Sequence, residues 1–306
     1  MGEEINIDLS TVDTILKRRK IEKVIEVPEQ VKTSKDLDFE ILINFLTLYK
    51  QAEEFEKRHQ FEKASEFYLK LAQTLLKDGD RKGAGLFFTK GALCLYYVAK
   101  YNESLEYYQH AFGIAEQLGN LQGMGEILTN IGLISYAQED LDGALDHYMH
   151  SLDIAEQLGD LRLQSQDLSL IGIILRDRED IDGALDYYKH ALDRAEQLND
   201  LDLQSGILLN MGVILIGRGD LGEATDHYKK ALGIFELLDD LKGKDQILPN
   251  IGVILCDRED LSGVLDHYSS FLDIVEKLGD LTLQSQISLN TTSVVVHVLL
   301  LAFYQS

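Results

Sequence analysis

Asparagine recurs at Asn130, Asn210, Asn250 and Asn290, always at intervals of 40 residues or a multiple of 40. A carboxamide offers both a donor and an acceptor, so it can pair with one peptide unit of another chain whatever side chain that unit carries. Leu170 interrupts the series, and Lys50 and Lys90 hold the same position in the earlier part of the chain. Histidine is also in register, at His110, His150 and His190, with His147 one helical turn before His150. Equivalent side chains on neighbouring helices stand about 10 Å apart, whereas zinc needs nitrogen ligands at about 2 Å, so this column cannot share an ion. The His147/His150 pair has no cysteine or shielded third ligand nearby, and no metal or other cofactor is expected. The glycine-rich run at Gly79 to Gly85 lacks phosphate-loop spacing and follows no predicted strand. No lone acid, base or nucleophile is read as breaking the periodic pattern, so an enzyme is not expected.

The element that must position these residues is the repeat itself, which runs from Ile41 to about Asn290 with a period of 40 residues and no insertion or deletion. A fixed period of this size implies stacked units, each burying its apolar face against its neighbours. In the second half of a unit, Leu141, Ala144, Leu145, Tyr148, Leu152 and Ala155 follow helical spacing, and in the first half Ile127, Leu128, Ile131 and Ile134 form another stripe. Asp140, Asp180, Asp220 and Asp260 precede the second stripe as N-caps. Gly79, Gly119, Gly159 and Gly279 close it in a left-handed conformation; Asn199 substitutes there, and Asp239 is the poorest fit. Each unit is thus a helical hairpin. Small residues at Gly132, Gly172, Gly212 and Gly252 and at Ala144, Ala184 and Ala224 imply close approach of its two helices. Tyr68, Tyr108, Tyr148, Tyr188, Tyr228 and Tyr268 form a packing column whose hydroxyls are expected at its edge.

The combination of IG or MG early, Ala at the start of the second helix, an aromatic four residues on, and Ala191 or Ala231 after it resembles the tetratricopeptide repeat. The 40-residue form with its LGD ending is similar to the arrays of kinesin light chain, the Partner-of-Inscuteable group and prokaryotic repeat proteins. The resemblance implies an all-α solenoid of stacked antiparallel hairpins wound as a right-handed superhelix, with first helices lining a concave groove. It also implies that Asn130, Asn210, Asn250 and Asn290 contact the backbone of a bound peptide. Their neighbours in that groove would be Gln166 and Gln246 toward the helix start and Tyr136, Arg176 and Asp177 toward its end, with Lys50 and Lys90 making the early groove cationic. Arg176 is expected to hold a ligand carboxylate through its fork. The chain departs from the family in lacking the early tryptophan, in carrying Val264 where Ala is usual, and in Gln51 and Ala52, which predict irregular packing of the first unit.

The net charge of −23 is concentrated in residues 121–280, which contribute about −20 against about −4 from residues 1–80. Such a surface repels phosphate backbones and anionic lipid, so neither nucleic acid nor membrane is an expected partner. Asp142, Asp146, Asp153, Asp182, Asp186 and Asp193 read as a solvated outer face of the second helices. Cys94 and Cys256 lie about four repeats apart within helices and read as reduced packing residues of a cytoplasmic protein. Residues 1–35, with the KRRK run at Lys17 to Lys20, form an N-terminal extension with a possible capping helix; residues 36–290 form an array of about six hairpins. Residues 291–306 are a divergent apolar end, too short to span a bilayer and a candidate homodimer contact. The expected function is a protein-interaction scaffold holding a peptide or helical segment of a partner. The alternatives are a structural homo-oligomer assembled through the C-terminal segment and a ligand-sensing regulator.

Overall fold

The computed structural model describes residues 34–240 together with Gly243, Ile247, Asn250 and Ile251. Among the described residues there are ten helices and no strand: α1 Ser34–Lys57, α2 Phe61–Lys77, α3 Arg81–Tyr97, α4 Tyr101–Leu118, α5 Leu121–Ala137, α6 Leu141–Leu158, α7 Leu161–Asp177, α8 Ile181–Gln197, α9 Leu201–Arg218 and α10 Leu221–Leu237. The chain packs as two compact units, Met1–Ile154 and Ala155–Ser306. Within the first, each helix from α1 to α4 packs on its successor, and α3 also touches α5. Within the second, α7 to α10 pack in the same serial way, and α7 touches α9. The first helices of successive repeats therefore lie side by side in each unit.

The period of 40 conceals a finer one of 20. A left-handed residue closes every described helix, at His59, Gly79, Ala99, Gly119, Glu139, Gly159, Glu179, Asn199, Gly219 and Asp239. The residue after each donates its N–H to the carbonyl five residues back, as in Asp140 to Ser135 at 2.9 Å and Asp160 to Ala155 at 2.9 Å. This satisfies a carbonyl that the helix end would otherwise leave open. The turn inside each hairpin is thus the same as the turn between hairpins. The sequence reading assigned the left-handed residue only to the LGD turns, because glycine marks them. Asp239 does adopt the conformation, with φ 52°.

Caps follow the same period. Asp140 and Asp180 accept from the backbone N–H of Gly143 and Gly183 at 3.0 Å each. The acid or amide that ends the LGD turn caps the following first helix in the same way: Asp80 accepts from Gly83, Asn120 from Gly123, Asp160 from Arg162 and Leu163, and Asp200 from Leu203. Asp220 departs from the expectation. Its carboxylate makes no cap bond and takes the Arg218 guanidinium instead. Asp260 and Gly279 lie outside the described residues.

Tyr68, Tyr108, Tyr148, Tyr188 and Tyr228 are at most 1% exposed. Facing them, a Cβ on Gly132, Gly172 or Gly212 would come within 2.5, 3.0 and 2.5 Å of the Tyr148, Tyr188 and Tyr228 rings, so the glycines are where helix and ring meet. The hydroxyls do not all reach the edge: Tyr108 and Tyr228 bury theirs without a hydrogen-bond partner, and burial pushes the Tyr228 phenol up to about 12. Tyr68 donates to the Glu56 carboxylate. The first hairpin packs in register despite Gln51 and Ala52, since Ala52 is fully buried at the position that Ala92 holds one repeat later. Among the described helices, α9 is apolar and long enough to cross a membrane. Its Ile207, Leu208, Met211, Gly212, Ile214 and Leu215 are buried in the fold, which accounts for that composition.

Candidate functional site

Lys50, Lys90, Asn130, Asn210 and Asn250 fall on one position of the first helices, and adjacency of those helices within each unit decides which of them can act together. In the first unit, α1 presents Lys50 to solvent, α3 presents Lys90, and α5 presents Asn130. Lys90 lies half-buried with its ammonium 5.2 Å from the centre of the Tyr68 ring, a cation–π contact that fixes the side chain without neutralising it. Asn130 is half-buried, and its Nδ2 donates to the Glu126 carbonyl of its own helix at 2.7 Å. Tyr136 is half-buried in the last turn of α5.

In the second unit, α7 carries Gln166, Leu170 and, at its end, Arg176 and Asp177, while α9 carries Asn210. Gln166 and Asn210 are half-buried. Arg176 does not offer a free fork: its Nε donates to Asp177 Oδ1 at 2.8 Å and a terminal nitrogen lies 2.7 Å from the same oxygen. A ligand carboxylate would have to displace Asp177. Asn250 is half-buried and helical. Gln246 and Asn290 lie outside the described residues, as do residues 1–33 with the KRRK run, Gly252, Cys256, Val264, Tyr268 and the segment 291–306.

The second helices carry the acids outward. Asp142, Asp146, Asp153, Asp182, Asp186 and Asp193 are all exposed. The histidine column is tied to this face: His110, His150 and His190 each lie one turn after a carboxylate, at 4.0 Å from Glu106, 3.7 Å from Asp146 and 3.7 Å from Asp186. Asp182 also receives Arg218 at 3.0 Å, which joins the start of α8 to the end of α9. Among the described residues no three His, Cys, Asp or Glu side chains come together as a metal site. Cys94 is a buried free thiol, and burial, with the Glu56 carboxylate behind it, pushes its pKa up to about 12.

Two sets of residues escaped the sequence reading. Gln164 and Gln204 each donate at 3.1 Å to a carbonyl near the end of the preceding second helix, Ala155 and Ala195, and Gln164 also accepts from Arg194 at 3.0 Å. Their signal was the LQS triplet repeated at an interval of 40 residues. Asp167 is the second. It is fully buried on α7, in the position that Phe87, Ile127, Ile207 and Ile247 fill elsewhere, so an acid does break the periodic pattern.

A family model for the tetratricopeptide repeat matches residues 90–157, 123–197 and 163–237 in overlapping copies, and the copies follow the 40-residue register of the hairpins. Residues 90–237 are tetratricopeptide repeats. No curated protein sequence matches the chain. Among solved structures, it is similar to aspartyl phosphate phosphatase F from Bacillus subtilis, at 15% identity and a TM-score of 0.64, over 96% of this chain and 85% of that one. It is likewise similar to the Rap conjugation gene regulator of plasmid pLS20, solved with a Phr peptide, at 16% identity and a TM-score of 0.63, over 98% and 87% of the two chains. The repeats of a putative kinesin light chain from Podospora anserina align at 9% identity and a TM-score of 0.51, over 64% of this chain and 97% of that one. At these identities the likeness is one of fold. At the candidate position the first helices of this array carry Lys50 and Lys90, then Asn130, Leu170, Asn210 and Asn250.

Proposed function

We propose that this protein is an interaction scaffold whose first-helix faces, each within its own compact unit, bind peptide segments of a protein partner through main-chain pairing with Asn130 in the first unit and with Asn210 and Asn250 in the second. The observation that carries the reading is the state of Asn130. Its Nδ2 rests on a carbonyl of its own helix, an intrahelical bond that an incoming peptide carbonyl can replace at little net cost. Asn210 and Asn250 occupy the same helix position and are likewise half-buried. Leu170, standing at that position on α7, contributes apolar contact in place of a hydrogen bond. Lys50 and Lys90 give the early end a positive charge, which favours acidic residues in the part of the peptide that meets α1 and α3. Peptide binding by a similar fold, as in the Rap regulator solved with a Phr peptide, supports the reading.

The test is selection from a displayed library of random peptides against the full chain and against a variant with Asn130, Asn210 and Asn250 replaced by alanine. Sequences enriched on the wild type should lose binding to the variant by about tenfold or more while its melting temperature stays within a few degrees. Equal enrichment on both proteins would overturn the proposal.

A further inference from the structure

One position of the second helices is reserved for an aromatic ring: Phe67, Tyr107, His147, Tyr187 and His227 occupy it in turn, and all five are half-buried. The position is a ring contact inside the hairpin, as Phe67 stacks on Phe55 at 5.4 Å and Tyr107 on Phe88 at 5.9 Å. In two of the described repeats the ring is an imidazole, and in both the Nδ1 atom is buried with no hydrogen-bond partner. A neutral imidazole carrying its proton on the other nitrogen tolerates this, because only a lone pair goes unused. A second proton would place a charged N–H donor against the packing with no acceptor, and that form is penalised by desolvation.

We infer that His147 and His227 are acid-sensitive joints, one in each compact unit, which pack as aromatic rings when neutral and loosen their hairpins when protonated. The surrounding charges do not rescue the protonated form. Around His147, Asp140 and Asp146 favour protonation and His150 opposes it, yet burial is the larger influence and holds the value below that of an ordinary imidazole. The one charged side chain on α5, Glu126, is exposed, as are Glu103, Glu106, His110 and Glu116 on α4. Around His227, burial again dominates; Lys230 and, from α8, Lys189 add to it, against Glu223 and Asp226. On α9, Asp202 and Arg218 are exposed.

Because the folded value is lowered, the unfolded chain takes up the proton first. The stabilisation is complete above the ordinary histidine range near pH 6.5 and declines as pH falls from there to the folded value, below which no more is lost.

The experiment compares thermal unfolding of the full chain with that of the His147→Tyr/His227→Tyr double variant at pH 7.5 and pH 5.5. Tyrosine is the residue the same position uses in Tyr107 and Tyr187, and titration of all carboxylates is shared by both proteins. The variant should gain about 2–4 °C over the wild type on going from pH 7.5 to pH 5.5. An unchanged difference between the two proteins at the two pH values would overturn the inference. Should the double variant fail to fold, the wild type decides by proton NMR titration, with each ring signal assigned from the single substitutions His147→Gln and His227→Gln. Both rings should titrate below about 6.5; a value at or above it for either ring would overturn the inference equally.

Discussion

Replacing Gly132, Gly172 and Gly212 by alanine, one at a time, separates two opposing effects whose sizes can be worked out from the structure. Each glycine sits inside a first helix, where alanine gains about 1 kcal/mol from helix propensity alone. Against this, the new Cβ would meet Tyr148 at 2.5, 2.7 and 3.1 Å in the case of Gly132, and Tyr228 at 2.5, 2.6 and 3.0 Å in the case of Gly212. Those rings are fully buried and cannot swing away without opening the hairpin, so the over-packing cost falls at about 2–3 kcal/mol. At Gly172 the nearest approaches to Tyr188 are 3.0, 3.1 and 3.2 Å, a contact that a shift of a few tenths of an ångström relieves, costing about 1 kcal/mol. Gly172→Ala should therefore be close to neutral, and Gly132→Ala and Gly212→Ala should each lose about 1–2 kcal/mol. Urea titration followed by circular dichroism measures the order, using midpoints because repeat arrays need not unfold in one step. If all three variants were stabilised alike, propensity alone would govern the site and the close ring contact would have no energetic meaning.

Glu139→Gly and Glu179→Gly should each raise stability by about 0.5–1 kcal/mol, because both residues hold a left-handed backbone that disfavours a Cβ, and Gly219 already fills the equivalent turn; melting temperature is the readout. Asp140→Ala and Asp180→Ala should each cost about 1 kcal/mol through loss of a cap, whereas Asp220→Ala, which caps nothing, should cost measurably less in the same denaturant assay. Cys94 should resist iodoacetamide in the native protein at pH 8 and be alkylated only in denaturant, as mass mapping of its peptide would show, since a thiol pushed up to about 12 is protonated there.

Much of this fold was legible because helical periodicity and repeat register reinforce each other. The stripes, the tyrosine column, the small residues opposite it and the Asp140 and Asp180 caps could be read from spacing, but not the loss of the Asp220 cap to Arg218. The turns inside the hairpins could not, since Ala99, Glu139 and Glu179 carry no mark of a left-handed residue; the backbone bond from Asp140 to Ser135 imposes that conformation on whatever side chain is present. Of the candidate site, the shared position of Lys90, Asn130 and Asn210 was legible, but the engagement of Arg176 by Asp177 was not, because adjacent residues at a helix end meet only through local rotamers. Asp167 replaces an apolar residue of the stripe, but the many exposed acids around it hide that break in the sequence.

The recurrence of one turn every 20 residues makes all the described joints geometrically interchangeable. A break between Gly159 and Asp160 and one between Asn199 and Asp200 present the same backbone ends, so excising residues 160–199 would reseal without a new loop having to be invented. Loss of a single helix would reseal just as smoothly, yet it would turn every following glycine column toward solvent and every acid toward the core. Growth and shortening by whole pairs is therefore enforced by the side chains, while the backbone is indifferent to it.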